Sequence, residues 1–293
     1  TGEATHTKQG DRLSTGVATL PNFVKDATDR NRTSPFAFTG NKFEFRMVGS
    51  SDSVSSPNVV LNTIVAEAFK EAADELEKAD DFDMALHDFI KRTMSEHKRI
   101  IFSGNGYSEE WVEEAERRGL PNLKCGIDSV DSLITDKAIR LFESFGVYTR
   151  AELESRAEIE YESYAKTINI EAKTMIDMAG KQIVPAVVAY TANLAESLTA
   201  VQTACPEADT SVQKELLLEA SDLLSDMKTA LARLTEETEK AAKVEGNKER
   251  AYAYHDIVTA AMEELRRPAD KLEMIVDKEL WPLPSYGDLI FEV

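Results

Sequence analysis

Thr149-Arg-Ala-Glu-Leu-Glu-Ser-Arg-Ala-Glu-Ile-Glu-Tyr161 opens the stretch that decides the fold, and it continues through Ile168-Asn-Ile-Glu-Ala-Lys-Thr-Met-Ile-Asp-Met-Ala179 to Val201. Thr149 and Glu152 stand at capping-box spacing, the hydroxyl offered to the first turn and the carboxylate reaching back. Beyond them apolar or aromatic residues fall at Tyr161, Ala165, Ile168, Ala172, Met175, Ala179, Ile183, Ala186, Tyr190, Leu194, Leu198 and Val201. These are eleven steps over 40 residues, 3.64 per step, the period of an α-helix. Ile170, Ile176, Val184, Val187 and Val188 widen the stripe, so the middle of this helix is expected to be buried on more than one side. Pro185 removes one ladder hydrogen bond and should kink the helix near Gln182, and Cys205-Pro206 should end it.

Downstream, two more long helical patterns cover about 209–244 and 248–280, with Gly246 between them and Pro268 expected to break or kink the second. Long amphipathic helices joined by short turns predict an antiparallel bundle. The tail Trp281-Pro-Leu-Pro-Ser-Tyr-Gly-Asp-Leu-Ile-Phe-Glu-Val293 is too apolar to stay in solvent and is expected to dock. Its cluster of Trp281, Leu283, Tyr286, Leu289 and Phe291 is the best candidate for an assembly contact. Upstream, helices are predicted from Pro57, capped by Ser56, to about Ala79, over 83–102, from Ser108 to a stop at Gly119, and over 131–145, with 119–130 as a connector.

Residues 1–57 read differently. Thr, Ser, Asn, Gly and Asp dominate the first 34, and then comes Pro35-Phe-Ala-Phe-Thr-Gly-Asn-Lys-Phe-Glu-Phe-Arg-Met-Val48. Gly40-Asn41 is a hairpin-turn signal. After it the two-residue strand period puts Phe43, Phe45 and Met47 on one face and Lys42, Glu44 and Arg46 on the other. The predicted fold class is therefore α+β, a short β-hairpin followed by a mainly α-helical, antiparallel bundle-like region.

Composition narrows the function. The 293 residues carry a net charge of −19, concentrated after residue 60: the first 60 residues have 7 basic and 6 acidic side chains, the rest 27 and 47. Such a surface repels nucleic acid and anionic lipid, so neither is an expected partner. No run of 18 apolar residues occurs, and no transmembrane helix is expected. Two cysteines 80 residues apart make neither a zinc site nor a disulfide framework, which suits a reducing, cytoplasmic setting. The four histidines show no metal-ligand spacing, and Tyr161, Tyr164 and Tyr190 read most simply as bundle packing.

One constellation of charge lies beside structural punctuation: Asp29-Arg-Asn-Arg32, then Lys42, Glu44 and Arg46 on one strand face. A carboxylate flanked at two residues on each side by cations suits Mg²⁺ and phosphate, the carboxylate oxygen binding the hard cation and the basic groups the phosphate oxygens. The plainer reading is a solvated strand face with cross-strand ion pairs. There is no Gly-rich phosphate loop, no GxSxG and no nucleophilic Cys with a nearby His.

The segment Asn31-Arg-Thr-Ser-Pro-Phe-Ala-Phe-Thr-Gly-Asn-Lys-Phe-Glu-Phe-Arg46 resembles the C-terminal active-site segment of glutamine synthetase. Its wording is similar to the type III branch, as are Asn105-Gly-Tyr-Ser-Glu-Glu-Trp111, the Ile168–Ala179 run and Leu280-Trp-Pro-Leu-Pro-Ser-Tyr-Gly-Asp-Leu289. The resemblance implies an ATP-dependent ligase joining ammonia to glutamate with Mg²⁺ or Mn²⁺, working as a homo-oligomeric ring. It implies Glu44 as a metal ligand and Arg46 as a contact to glutamate. Arg32 would touch nucleotide phosphates and the reacting glutamate, making Arg32 and Arg46 the catalytic pair, and Lys42 would lie near ATP. Ala37 stands where some members carry a further phosphate-binding arginine. The resemblance covers the C-terminal portion of a family member. Residues 1–105 would end the catalytic domain, 106–293 would be the branch-specific helical region, and the isolated chain would be inactive. The competing expectation is a non-enzymatic helical scaffold or oligomerisation module.

Overall fold

The computed structural model describes residues 53–102 and 104–291, the strand residues 43–46, and the backbone of 12–13, 23–24 and 36–38. It divides into two packing units, Thr1–Lys124 with Lys137–Tyr148, and Cys125–Asp136 with Thr149–Val293.

In the first unit, β1 (Arg12–Leu13) pairs antiparallel with β2 (Phe23–Val24), a pairing the sequence patterns did not indicate. β3 (Phe36–Phe38) pairs antiparallel with β4 (Phe43–Phe45), which is the expected hairpin. The Gly40-Asn41 turn lies outside the described residues. Helix α1 (Ser55–Leu76) starts one residue before the expected cap, with Val54 at its N-cap. Helix α2 (Phe82–Glu96) is capped by Asp81, whose carboxylate accepts from the Met84 backbone N–H at 3.0 Å, and a 3₁₀ turn, Lys98–Ile100, follows. A bidentate pair from Arg92 to Glu75, at 2.9 and 2.6 Å, ties α2 to α1. On these two helices Thr63 is the one buried residue, and Phe69, Phe82, Met84 and Ile90 are exposed.

Helix α3 (Glu109–Arg117) begins at Ser108, whose hydroxyl accepts from the Trp111 N–H, and stops at Gly119, which takes a φ of +70° open mainly to glycine. Helix α4 (Gly126–Val130), followed by a 3₁₀ turn at Asp131–Ile134, occupies the predicted connector, and α5 (Asp136–Ser144) is the shortened form of the helix expected over 131–145.

The second unit holds the bundle. Helix α6 (Arg150–Met178) starts in the Thr149–Glu152 capping box, with both reciprocal hydrogen bonds present. A π-helical turn, Ala179–Ile183, then leads into α7 (Val184–Ala204). Pro185 has no N–H, and its ring would collide with the carbonyl four residues back in a regular helix. The π-turn widens the ladder, the Val184 N–H reaching back five residues to Ala179, so the expected kink takes the form of a bulge just before the proline. Helix α8 (Ser211–Ala241) packs against α7 and against α10 (Thr259–Glu273). The latter is preceded by α9 (Asn247–Ala253) and a second π-turn, Tyr254–Val258. The break expected at Pro268 does not occur: it sits buried inside α10, which continues through it, and the irregular turn lies ten residues upstream.

The main core is shared by these helices. It contains Ala172, Ile183, Val187, Met227, Leu234, Val258, Leu265 and Leu272, all at most 6% exposed, with Leu280, Trp281 and Leu283 packed against it. Each of the Val, Ile, Leu and Met side chains contributes roughly 1.5–3 kcal/mol on burial. A smaller cluster gathers Ile127, Val130, Ala157, Tyr161 and Ala251. Tail docking holds only for the first half, because α11 (Tyr286–Phe291) leaves Tyr286, Leu289 and Phe291 exposed. One 18-residue window of the helix spanning Arg150–Ala204 is apolar enough to cross a membrane by composition; the same segment supplies Ala172, Ile183 and Val187 to the bundle core.

Candidate functional site

The antiparallel register of the hairpin sets Phe36 opposite Phe45, Ala37 opposite Glu44, and Phe38 opposite Phe43. Within β4 the alternation predicted from sequence is present, but its two faces are turned the other way from a solvated charged face. Phe43 and Phe45 are 61% and 40% exposed. The Arg46 side chain is only 19% exposed, and Glu44 is at 39%. The guanidinium donates to Glu44 Oε2 from Nη2 at 2.9 Å and from Nε at 3.3 Å. The two partners stand two residues apart along the chain, at the end of β4. Arg32 and Lys42 lie outside the described residues, as does Met47. The structure thus brings together Glu44 and Arg46 of the four site candidates.

The fit to a divalent cation is one of type and not of number. A carboxylate is the hard oxygen donor that Mg²⁺ or Mn²⁺ takes, and such a cation wants about six oxygens. Among the described residues no group of three or more His, Cys, Asp or Glu could hold a metal. Glu44 is thus one oxygen donor, and the described residues do not by themselves complete a site for such a cation.

The Asn105–Trp111 motif is a folding element. Asn105 Oδ1 accepts from the Tyr107 N–H at 3.1 Å, shaping the turn that presents Ser108 as the α3 cap. Trp111 stacks on Phe102 with ring centroids 4.1 Å apart, and the Arg118 guanidinium lies 5.4 Å from the Trp111 ring. Arg118 also donates to the carbonyls of Arg99 and Ile101, closing the loop that the helix leaves open.

A second polar cluster, in the bundle unit, was not marked by any sequence pattern. Tyr161, buried on α6, donates its hydroxyl to Asp131 Oδ1 at 2.9 Å, Lys248 pairs with Asp131 Oδ2, and Tyr252 donates to Asp128 at 3.1 Å. The Lys248 ammonium lies 5.9 Å from the Tyr161 ring. Hydrogen bonds from Lys248 and Tyr161 hold the Asp131 carboxyl below its ordinary value, whereas burial, then Asp131, pushes the Tyr161 phenol up. Beside it, burial and contact with Cys125 raise Tyr164 to about 12. The arrangement clasps the α4 segment to α6 and α9. The partners are 30 and 117 residues apart, a separation that no local pattern encodes. An open groove of about 600 Å³ beside the first π-turn, lined by Ile176, Gly180, Leu231 and Thr235, gathers charged rims and no nucleophile with a base.

The comparisons with known proteins agree on one family. The family model for the glutamine synthetase C-terminal domain matches residues 85–202. This chain carries a glutamine synthetase C-terminal domain. The chain is also 38% identical over 96% of its length to a type-3 glutamine synthetase of Dictyostelium discoideum. It is 38% identical over 95% to a glutamine synthetase of Bacteroides fragilis, and 37% identical over 92% to one of Butyrivibrio fibrisolvens. In each case it spans 39% of the relative's length. The matched domain runs from α2 to the end of α7, so it takes in the Phe102–Trp111–Arg118 stack and the π-turn ahead of Pro185.

Proposed function

We propose that the chain is the C-terminal part of a type III, ATP-dependent glutamate–ammonia ligase. The observation that carries this reading is the identity of 37–38% to three glutamine synthetases, sustained over at least 92% of the chain. In the proposed reaction ATP phosphorylates the γ-carboxylate of glutamate, and ammonia then displaces phosphate from the acyl phosphate. Glu44 supplies one carboxylate ligand to Mg²⁺ or Mn²⁺, and a cation held there neutralises phosphoryl charge. Arg46 orients the glutamate carboxylate, and its half-buried guanidinium, now paired with Glu44, is the local counter-charge that substrate would share. Arg32 and Lys42 bind phosphate oxygens. Residues 1–105 end the catalytic domain, and 106–293 form the helical region. The functional protein is a cytoplasmic homo-oligomeric ring, and the reading needs neither nucleic acid nor membrane.

The exposed apolar side chains of the first unit support the same reading. Phe69, Phe82 and Met84 on α1 and α2 are exposed, and so are Phe43 and Phe45 on β4, side chains of the kind that pack on further protein. One in-strand carboxylate cannot build a metal centre alone, so the 293 residues by themselves should form no glutamine. The test is to assay this chain beside a full-length parent with glutamate, ammonia, ATP and Mg²⁺. Turnover by the parent alone is expected. Turnover by the isolated chain would overturn the partial-site reading, and an inactive, folded parent would overturn the ligase and favour a helical scaffold.

A further inference from the structure

The open groove of about 600 Å³ in the bundle unit runs between α8 and the end of α6 with its π-turn. Ile176, Gly180 and Leu231 give it an apolar floor. Thr235 spends its hydroxyl proton on the Leu231 carbonyl at 2.8 Å, so the middle of the floor holds no free donor and suits a hydrocarbon chain. Gly180 is not required by the packing of this chain. A Cβ there would meet Leu231 Cδ2 at 3.8 Å, an ordinary contact, and glycine inside a helix is a poorer choice than alanine. Its missing side chain leaves the floor open above Leu231.

The charges of the rim divide into satisfied and spare ones. Lys181 pairs with Asp177 one turn back, and Glu236 pairs with Lys240 at 2.9 Å. Lys228 and Glu239, both exposed, make no ion pair among the described residues. Eleven residues of α8 separate them, which is three turns and about 20°, so both stand on the groove's side of the helix with about 16 Å of rise between them. A lysine and a glutamate side chain together reach about 10 Å, too little for the two to meet. The groove thus keeps a cation at one end, a carboxylate at the other and apolar atoms between. A complementary ligand carries a carboxylate and a cation joined by methylenes. Extended arginine measures about 10 Å from carboxylate oxygen to terminal nitrogen, and a hydrogen bond of about 2.8 Å at each end brings the span to about 15 Å. Shorter amino acids do not bridge the two charges. The lining sets Lys181 and Lys228 against Asp177, Glu236 and Glu239, an excess of one negative charge that arginine's net positive charge offsets.

We propose that this groove binds a free guanidinium amino acid, arginine. Its guanidinium forks onto the Glu239 carboxylate, its own carboxylate takes the Lys228 ammonium, and its methylenes lie over Gly180 and Leu231. The α-ammonium stays in water on the open side. The site is built from the bundle's own residues and owes nothing to the ligase reaction. The test is equilibrium dialysis of the 293-residue chain against radiolabelled L-arginine, with saturable binding at one site expected and a Kd on the order of 1 mM or tighter. Citrulline keeps the shape and loses the charge, and agmatine lacks the carboxylate, so each should compete about tenfold more weakly. Glu239→Gln and Lys228→Met should each weaken arginine about fivefold or more without changing helix content, because both side chains are exposed. Gly180→Leu alters no charge but fills the floor, and should abolish binding. No saturable uptake up to about 20 mM arginine would overturn the proposal. So would agmatine or citrulline competing as well as arginine, or full affinity in Gly180→Leu or in the two rim variants, which would place the ligand elsewhere on the chain.

Discussion

Tyr161→Phe removes one oxygen from the clasp and leaves the ring that fills the smaller core. Tyr161 is 2% exposed, so its hydroxyl gives up water on folding and recovers that loss through Asp131 at 2.9 Å. A hydrogen bond to a charged acceptor contributes about 1.5–3 kcal/mol in favourable settings. Asp131 is 48% exposed, however, and water would resolvate it once the phenol is gone, which places the cost at the low end, about 1–1.5 kcal/mol. For a domain of this size that lowers the melting temperature by about 2–4 °C. The assay is urea unfolding of wild type, Tyr161→Phe, Asp131→Asn and the double variant, read as a double-mutant cycle. Asp131 has a depressed folded pKa, so its stabilisation is present above the ordinary 3.8 and is lost as pH falls through the lower folded value. The Tyr161→Phe deficit should therefore shrink below about pH 4. A coupling under about 0.3 kcal/mol at pH 7, or a deficit that persists at low pH, would refute the view that the hydroxyl is held by an ionised Asp131.

At the alkaline end the sign reverses: burial holds the phenols of Tyr164, Tyr161 and Tyr254 above their ordinary value, so their stabilisation is complete below pH 10 and fades as pH rises through the folded values, about 12 for Tyr164. Thermal melts between pH 9 and 12 should show stability falling across that window, and Tyr164→Phe should flatten the fall. Gly246, with φ +83° and ψ 136° between α8 and α9, occupies a region nearly reserved for glycine, so Gly246→Ala should cost about 1–3 kcal/mol in denaturant unfolding, and a neutral result would refute the strain.

The bundle was legible because its information is local. A 3.64-residue stripe, the Thr149–Glu152 box, and glycines at 119 and 246 each act within a few residues, and each reappears in the fold. Pro185 was legible in part: the chain yields before it, through a π-turn, a form that periodicity does not specify. Pro268 misled because propensity prices a lost hydrogen bond and ignores the packing of α8 and α10 that holds the helix together around it. The Asp131 clasp and the β1–β2 pairing were invisible, since their partners are joined only by tertiary structure. In the hairpin, alternation gave the two faces of β4 but could not say which is covered, and it did not foresee that Glu44 would pair with Arg46 two residues on. The tail was half legible: hydrophobicity marked it as a docking element, but could not separate Trp281, which packs on its own core, from Phe291, which does not.

The most direct measurement concerns Glu44, because its two readings predict opposite results. Glu44→Gln in a full-length parent keeps the shape and loses the charge. As a metal ligand, its replacement should lower the rate of glutamine formation at least a hundredfold and weaken Mg²⁺ or Mn²⁺ binding, while denaturant unfolding changes by less than about 1 kcal/mol, the usual size for a partly exposed ion pair. Retained activity together with a clear loss of stability would contradict the account and leave Glu44 as the structural partner of Arg46.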